Sequence, residues 1–319
     1  MSSASWASQA SVLRPRVGGC TWGRSTVAAP APAVDDGEMH LTRRMVATFV
    51  AVLLLGPAAC GDDGATAPTA GTSSSVTTST TVAAARGVAL YLVRDGLLAA
   101  VARDVAVSGA IAATITALLQ GPGVAETRAG FATAIPAGTR LNSVTVAGRV
   151  PTVDLSAQFA SGGGSLSMML RVAQVTYTVT QFAGVDMVRY RLDGQDLTVL
   201  GGEGLMLDHP QTRKDLEDVQ PKILVELPAF GARVGHRFVA LGTSNTFEAT
   251  HQLQVRDRQG TVVFDAVVTA TSGTGERGTW EKAVDLPAVV TGPATLRVFE
   301  VSAMDGSAQS IVDVLITVE

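Results

Sequence analysis

Cysteine is nearly missing from this chain. Two in 319 residues are too few for a disulfide framework or a cysteine-rich zinc site. Aromatic residues make up only 5%, which leaves little for stacking sugars or bases. Positive charge is not in excess: 24 Lys+Arg stand against 28 Asp+Glu, for a formal charge of −4. A nucleic-acid binder needs a basic surface to displace counterions from phosphates, so nucleic acid is excluded as a partner. Charged residues amount to 16% and hydrophobic residues to 46%, with a mean hydropathy of +0.29. That balance excludes a mostly disordered chain. Long apolar runs are also wanting, since the stretch Met45–Leu55 is too short to cross ~30 Å of hydrocarbon as a helix. What is abundant is glycine, at 33 residues, with 13 prolines, a sign of many turns in a chain long enough for two domains.

The apolar stretch suits the core of a signal peptide. Arg43 and Arg44 supply the positive start, Met45–Leu55 the uncharged core, and Gly56-Pro57-Ala58-Ala59 the small residues before a cut. Cys60 follows directly, and Ala58-Ala59-Cys60 resembles the lipobox of bacterial lipoproteins, with Pro57 departing from the usual small or aliphatic residue. The resemblance implies cleavage before Cys60 and a diacylglyceryl anchor on its thiol. Residues 1–38 show no periodicity and are read as a non-native N-terminal extension, with translation expected to begin at Met39. Residues 39–59 are then the signal peptide. Residues 60–86, rich in Ser, Thr, Ala and Pro, read as a disordered linker with too little apolar area to offset ordering.

Residues 87–205 read as an α+β domain, a mixed sheet with two helices. Gly87–Val93 and Leu97–Val105 are strands around an Arg94-Asp95-Gly96 turn, where Asp-Gly accepts positive φ. A helix is expected over 109–120 with Ser108 as its cap, stopped by Gly121-Pro122-Gly123. Strands follow at 141–146 and 150–155. Ser165 then caps a second helix running to about Phe182, whose buried side is Leu166, Met169, Ala173, Val175, Tyr177 and Phe182. A strand at 185–192, an Asp193-Gly194 turn and a return strand complete the unit.

Several strings in this segment stand in a telling order: Leu90-Tyr91-Leu92, Ala117-Leu118-Leu119-Gln120-Gly121-Pro122, Thr133-Ala134-Ile135-Pro136-Ala137-Gly138-Thr139, Val153-Asp154-Leu155-Ser156, Gln174 to Phe182, Val188-Arg189-Tyr190 and Asp193-Gly194. Together they resemble the GerMN (sporulation/germination) domain. Asp154 reads as a capping or pairing residue at a strand end, and Gln181 as a group that satisfies backbone near a helix end. Gly162-Gly163-Gly164 is a loop, since no Lys stands at phosphate-loop spacing.

Residues 206–220 read as a charged connector, a solvated hinge or short helix. From Pro221 the apolar pattern turns to period two. Seven strands are expected, at 223–226, 234–241, 246–256, 262–270, 279–286, 294–302 and 310–318, forming an all-β sandwich with Leu253, Val255, Val263, Trp280, Leu296 and Val298 in its core. Phe247-Glu248-Ala249, Leu253-Gln254-Val255-Arg256-Asp257, Ala294 to Ser302 and Asp305-Gly306-Ser307 make residues 221–319 similar to the immunoglobulin-like Gmad2 domain found with GerMN-type proteins.

Catalytic signals are thin. His209, His236 and His251 lack metal-ligand spacing, no G-x-S-x-G elbow surrounds a serine, and acid pairs such as Glu217/Asp218 sit in charged runs. No catalytic, metal or cofactor residue is therefore assigned. Cys60 is the one site residue, for lipid attachment. The resemblances imply a non-catalytic, lipid-anchored scaffold or protein-interaction protein on the extracytoplasmic face of a bacterial cell membrane. Its expected partners are the membrane, envelope proteins and, through sheet edges, further copies of itself. The alternatives are a lipoprotein that binds cell-wall glycan or a small ligand, and a hydrolase with an unrecognised site.

Overall fold

The structure is a computed structural model that describes residues 85–106, 110–202 and 204–319. Cys60, the signal-like segment 39–59 and the linker up to residue 84 lie outside the described residues.

The first fold opens with a hairpin of β1 (Ala85–Arg94) and β2 (Leu97–Ala106). Asp95 and Gly96 turn it with φ of 53° and 78°, which matches the right-handed twist of the two strands. Residues 85 and 86 pair with 106 and 105, so the strand begins inside the segment expected as linker. Then come α1 (Ala110–Leu119), α2 (Val124–Arg128) and β3 (Phe131–Ala132), which pairs with β1. β4 (Leu141–Ala147), β5 (Val150–Leu155), α3 (Ser165–Val179), β6 (Met187–Leu192) and β7 (Gln195–Asp196) follow. β8 (Val199–Leu200), β9 (Leu205–Met206) and β10 (Gln211–Thr212) close the fold.

The architecture is α+β, but its strands divide into hydrogen-bonded groups rather than one sheet: β2-β1-β3, the mixed set β10-β6-β5-β4 with β7 on β6, and the small β8-β9 ladder. β5 and β6 run parallel, which demands a crossover, and α3 supplies it. α1 and α3 pack on β1. Leu90, Leu92, Leu118, Leu155, Val172 and Val175 fill the core between them.

α3 departs from expectation at both ends. Gly164 is its N-cap and Ser165 its first residue. Leu166, expected in the core, is 59% exposed. It lies 200° around the helix from buried Met168, on the solvent side. The helix ends at Val179 rather than near Phe182. Thr180 N–H still reaches Thr176 O, but Phe182 N–H bonds Val179 O and the chain turns away.

Of the two expectations for the connector, a solvated hinge or a short helix, the second holds. Lys214–Val219 winds into a 3-10 turn with Leu216 and Val219 buried in the first core. Leu216 and Val219 stand three apart, one turn of a 3-10 helix, so both face the same side, and that pair outweighs the surrounding charge once a partner surface is present.

The second fold consists of β11 (Ile223–Leu227), β12 (Arg233–Val234), β13 (Arg237–Ser244), β14 (Thr250–Arg256), β15 (Val262–Thr269), β16 (Gly278–Asp285), β17 (Gly292–Val301) and β18 (Ala308–Val318). Two sheets, β11-β13-β16 and β12-β18-β17-β14-β15, enclose a core that includes Leu253, Val255, Trp280, Leu296 and Val298, with Val263 partly buried against it. The short β12, parallel to β18, and a 3-10 turn at Phe247–Ala249 were not legible as such.

Gly242 sits at the centre of the smaller sheet, opposite Val225 and Trp280. A Cβ there would overlap the Leu224 carbonyl oxygen and stand 2.9 Å from Trp280 Cζ2. Gly242→Ala must push two backbones apart and is expected to lower stability by about 2 kcal/mol, a typical overpacking loss. A thermal unfolding scan that leaves the midpoint unchanged would show that the sheet yields freely.

Candidate functional site: the groove between the two folds

The described residues all fall within one compact unit, so the two folds share a boundary with its own chemistry. On one side of that boundary the free edge of β2 is sealed by the loop after β11. Phe230 N–H donates to Ala100 O at 3.0 Å and Ala102 N–H to Phe230 O at 2.9 Å, a one-residue continuation of the ladder. The Phe230 ring lies 4.9 Å from that of Phe131, and Arg94 stacks over Phe131 while donating to Asp313 O at 3.1 Å.

At the centre stands Arg213. Its guanidinium donates to Glu226 Oε2 at 2.7 Å, to Thr180 Oγ1 at 2.7 Å and to Tyr177 O at 3.3 Å. It also lies over the rings of Tyr177 and Tyr91, at 4.7 and 5.6 Å from their centroids. Tyr91 OH donates a short bond to Glu226 Oε2. One carboxylate from β11 thereby binds a strand of the first fold and the connector together. Burial, with Glu226 adding to it, holds the Tyr91 hydroxyl well above the usual tyrosine range, so it stays protonated and can donate. Burial pulls the Arg213 guanidinium down, but the neighbouring Tyr91 and Glu226 outweigh that and raise it, so it stays charged.

Beside this cluster runs a groove of about 1170 Å³. Its floor is the face of the β1–β2 hairpin carrying Gly87, Ala89 and Ala102. The turn after α3 and the loop 229–233 form its walls, and Lys214 and Arg233 lie at its side.

The edge of β1 away from β2 is satisfied in an unusual way, by side chains of α3 and of the turn that follows it. Gln174 Nε2 donates to Tyr91 O at 3.1 Å while its Oε1 accepts from Ala134 N–H at 2.8 Å. Thr178 Oγ1 accepts from Tyr91 N–H at 3.1 Å. Gln181 pairs with both groups of Ala89, accepting from its N–H at 2.9 Å and donating to its carbonyl at 2.6 Å. Gln181 thus serves backbone at its own helix end, as expected, donating to Thr178 O at 2.6 Å, and also that of a strand 92 residues away.

The other residues singled out in the sequence are not brought together. Asp154 accepts from Asn142 at 3.3 Å and from Gly194 N–H at 3.2 Å, a pairing role at a strand end. The Gly-rich loop is folded around buried Arg171, which donates to Gly162 O at 2.9 Å. At Gly163, with φ of 86°, a Cβ would meet Arg171 Nη2 at 2.7 Å. His209 pairs with Asp208 at 2.9 Å on the surface, and His236 bonds Ala288 O at 3.1 Å. His251 lies in the sandwich core, its ring edge-on to Trp280 at 5.0 Å. Among the described residues no group of acids, histidines or cysteines is placed to hold a metal, and no helix is long and apolar enough to cross a membrane.

Tyr91, Arg213 and Glu226 were missed as a set. The one available signal was a carboxylate inside the apolar run Ile223-Leu224-Val225-Glu226-Leu227, since a buried acid implies a partner.

Two family models match the chain. Residues 222–307 match the immunoglobulin-like domain of bacterial spore germination, and residues 81–198 match a domain of sporulation and spore germination. Among solved structures, the first GerMN domain of the sporulation protein GerM from Bacillus subtilis is 25% identical, covering 40% of this chain and 98% of that one, with a TM-score of 0.33. The tandem GerMN domains of the same protein are 19% identical, with a TM-score of 0.37, over 63% of this chain and 62% of that one. A Clostridium perfringens protein described as a candidate lipoprotein is 19% identical over 43% of this chain and 93% of its own, with a TM-score of 0.32. No curated protein matches the chain.

Proposed function

We propose that this chain, which joins a sporulation- and germination-type α+β domain to the immunoglobulin-like domain of bacterial spore germination, is a lipid-anchored interaction protein of the bacterial cell envelope with no chemistry of its own. The observation that carries the reading is the junction. Domains in one chain move independently by default unless their interface is extensive. Here an ion pair, a tyrosine–carboxylate hydrogen bond, an aromatic contact and a two-bond backbone bridge join the two folds. A protein that holds partners at a set spacing needs such a joint, and an anchor at Cys60 would present both folds outside the membrane. The two domain matches support the architecture, and the scaffold role is drawn from the joint.

The reading predicts that Cys60→Ser transfers the protein from the membrane fraction to the soluble fraction, and that mass spectrometry finds acyl groups on Cys60 of the native chain. Crosslinking in living cells should recover envelope proteins, and recovery no better than background would refute the interaction role. The groove favours a second reading, a lipoprotein that binds cell-wall glycan or a small ligand. Saturable retention on purified peptidoglycan would select it.

A further inference from the structure

We propose that the groove beside β1 takes an extended polypeptide segment, which adds to the strand through the backbone of Gly87. In an antiparallel hairpin, alternate residues turn their N–H and C=O away from the partner strand. Ala89 and Tyr91 do so here, because Gln181, Thr178 and Gln174 meet their backbone groups on the side away from β2. The same alternation turns Gly87 outward, two residues beyond the reach of Gln181. Among the described residues no side chain of α3 or of the turn after it bonds its backbone, and Gly87 is exposed and lines the groove.

The carboxamide of Gln181 shows what the edge accepts. It offers Ala89 one N–H and one C=O in the arrangement of a neighbouring strand. The next such pair along β1 has the same geometry, and the ligand that presents amide donors and acceptors at strand spacing is an extended peptide. Small residues keep the floor open, since Gly87, Ala89 and Ala102 project almost nothing into the groove. A Cβ at Gly87 would make only ordinary contact with Asp104, at 3.8 Å. Glycine is therefore not needed there for packing. This inference rests on the interaction-protein reading and names the chemistry of the partner.

The test uses the full chain carrying Cys60→Ser, panned against phage-displayed random linear peptides. Peptides that bind are measured by fluorescence anisotropy on Gly87→Ala, which keeps the N–H, and Gly87→Pro, which removes it without touching the β1–β2 ladder. Equal affinity for the unsubstituted protein and Gly87→Ala, with a loss of about tenfold or more for Gly87→Pro, is expected. Should Gly87→Pro fold poorly, single N-methylation along the peptide decides on the unsubstituted groove. Losses at alternate residues are expected, because only every second amide of an added strand faces β1. No enriched peptide, indifference to both Gly87→Pro and N-methylation, or protection of residues 87–91 by soluble muropeptides alone would overturn the proposal. Envelope crosslinks that persist unchanged in Gly87→Pro cells would also sink it while leaving the interaction role standing.

Discussion

Arg213→Ala should lower the unfolding free energy by about 4 kcal/mol, read from urea denaturation. The magnitude follows from what is left behind. Glu226 has a side chain only 13% exposed and Arg213 one 28% exposed, so neither is a surface charge. Without the guanidinium, Glu226 keeps its bond from Tyr91 but no counter-charge, and Tyr91 and Tyr177 lose the cation lying over their rings. Glu226→Gln in the Arg213→Ala background removes the stranded charge and should restore part of the loss, giving a coupling of at least about 1 kcal/mol in the double-mutant cycle. A surface ion pair would yield under about 1 kcal/mol and no such rescue. That result would mean the two folds are not joined through this cluster.

Acid should weaken the second fold through His251. The residue is 2% exposed and neither ring nitrogen has a hydrogen-bond partner among the described residues. Burial pushes the imidazole from its ordinary 6.5 down to about 4. The unfolded chain therefore binds a proton at a pH where the folded one does not, and stability falls as pH drops from 6.5 towards 4. It levels off below that, after a loss of about 3 kcal/mol from this residue. Above pH 6.5 both states are neutral and the residue adds no pH dependence. His251→Leu should flatten the profile in that window and leave stability at pH 7 unchanged or higher, because two unpaired polar atoms leave the core. A slope that survives the substitution would assign the acid sensitivity to other groups.

How much of this was legible in the sequence depends on the range of the interaction. The Asp95-Gly96 and Asp193-Gly194 turns were readable because positive φ is a property of the residues themselves. The sandwich strands were readable because a sheet with one buried face imposes period two. Boundaries went wrong wherever a distant group intervened. α3 was expected to run to about Phe182, and it ends at Val179, after which Gln181 reaches across to Ala89 on β1. The connector was expected as a solvated hinge or short helix; it forms a short 3-10 helix, and Leu216 and Val219 are buried because they find a core that no local pattern announces.

The sequence by itself determined the two fold classes, their order and most of the sandwich core, since periodicity and turn chemistry are local and repeat over many residues. Only the tertiary structure decided that Arg213, Tyr91 and Glu226 form one buried joint, and that β1 is served by amide side chains as far as Ala89 and no further. Both are matters of single groups meeting across long stretches of chain, and no pattern along a strand or helix encodes which distant partner will complete a hydrogen bond.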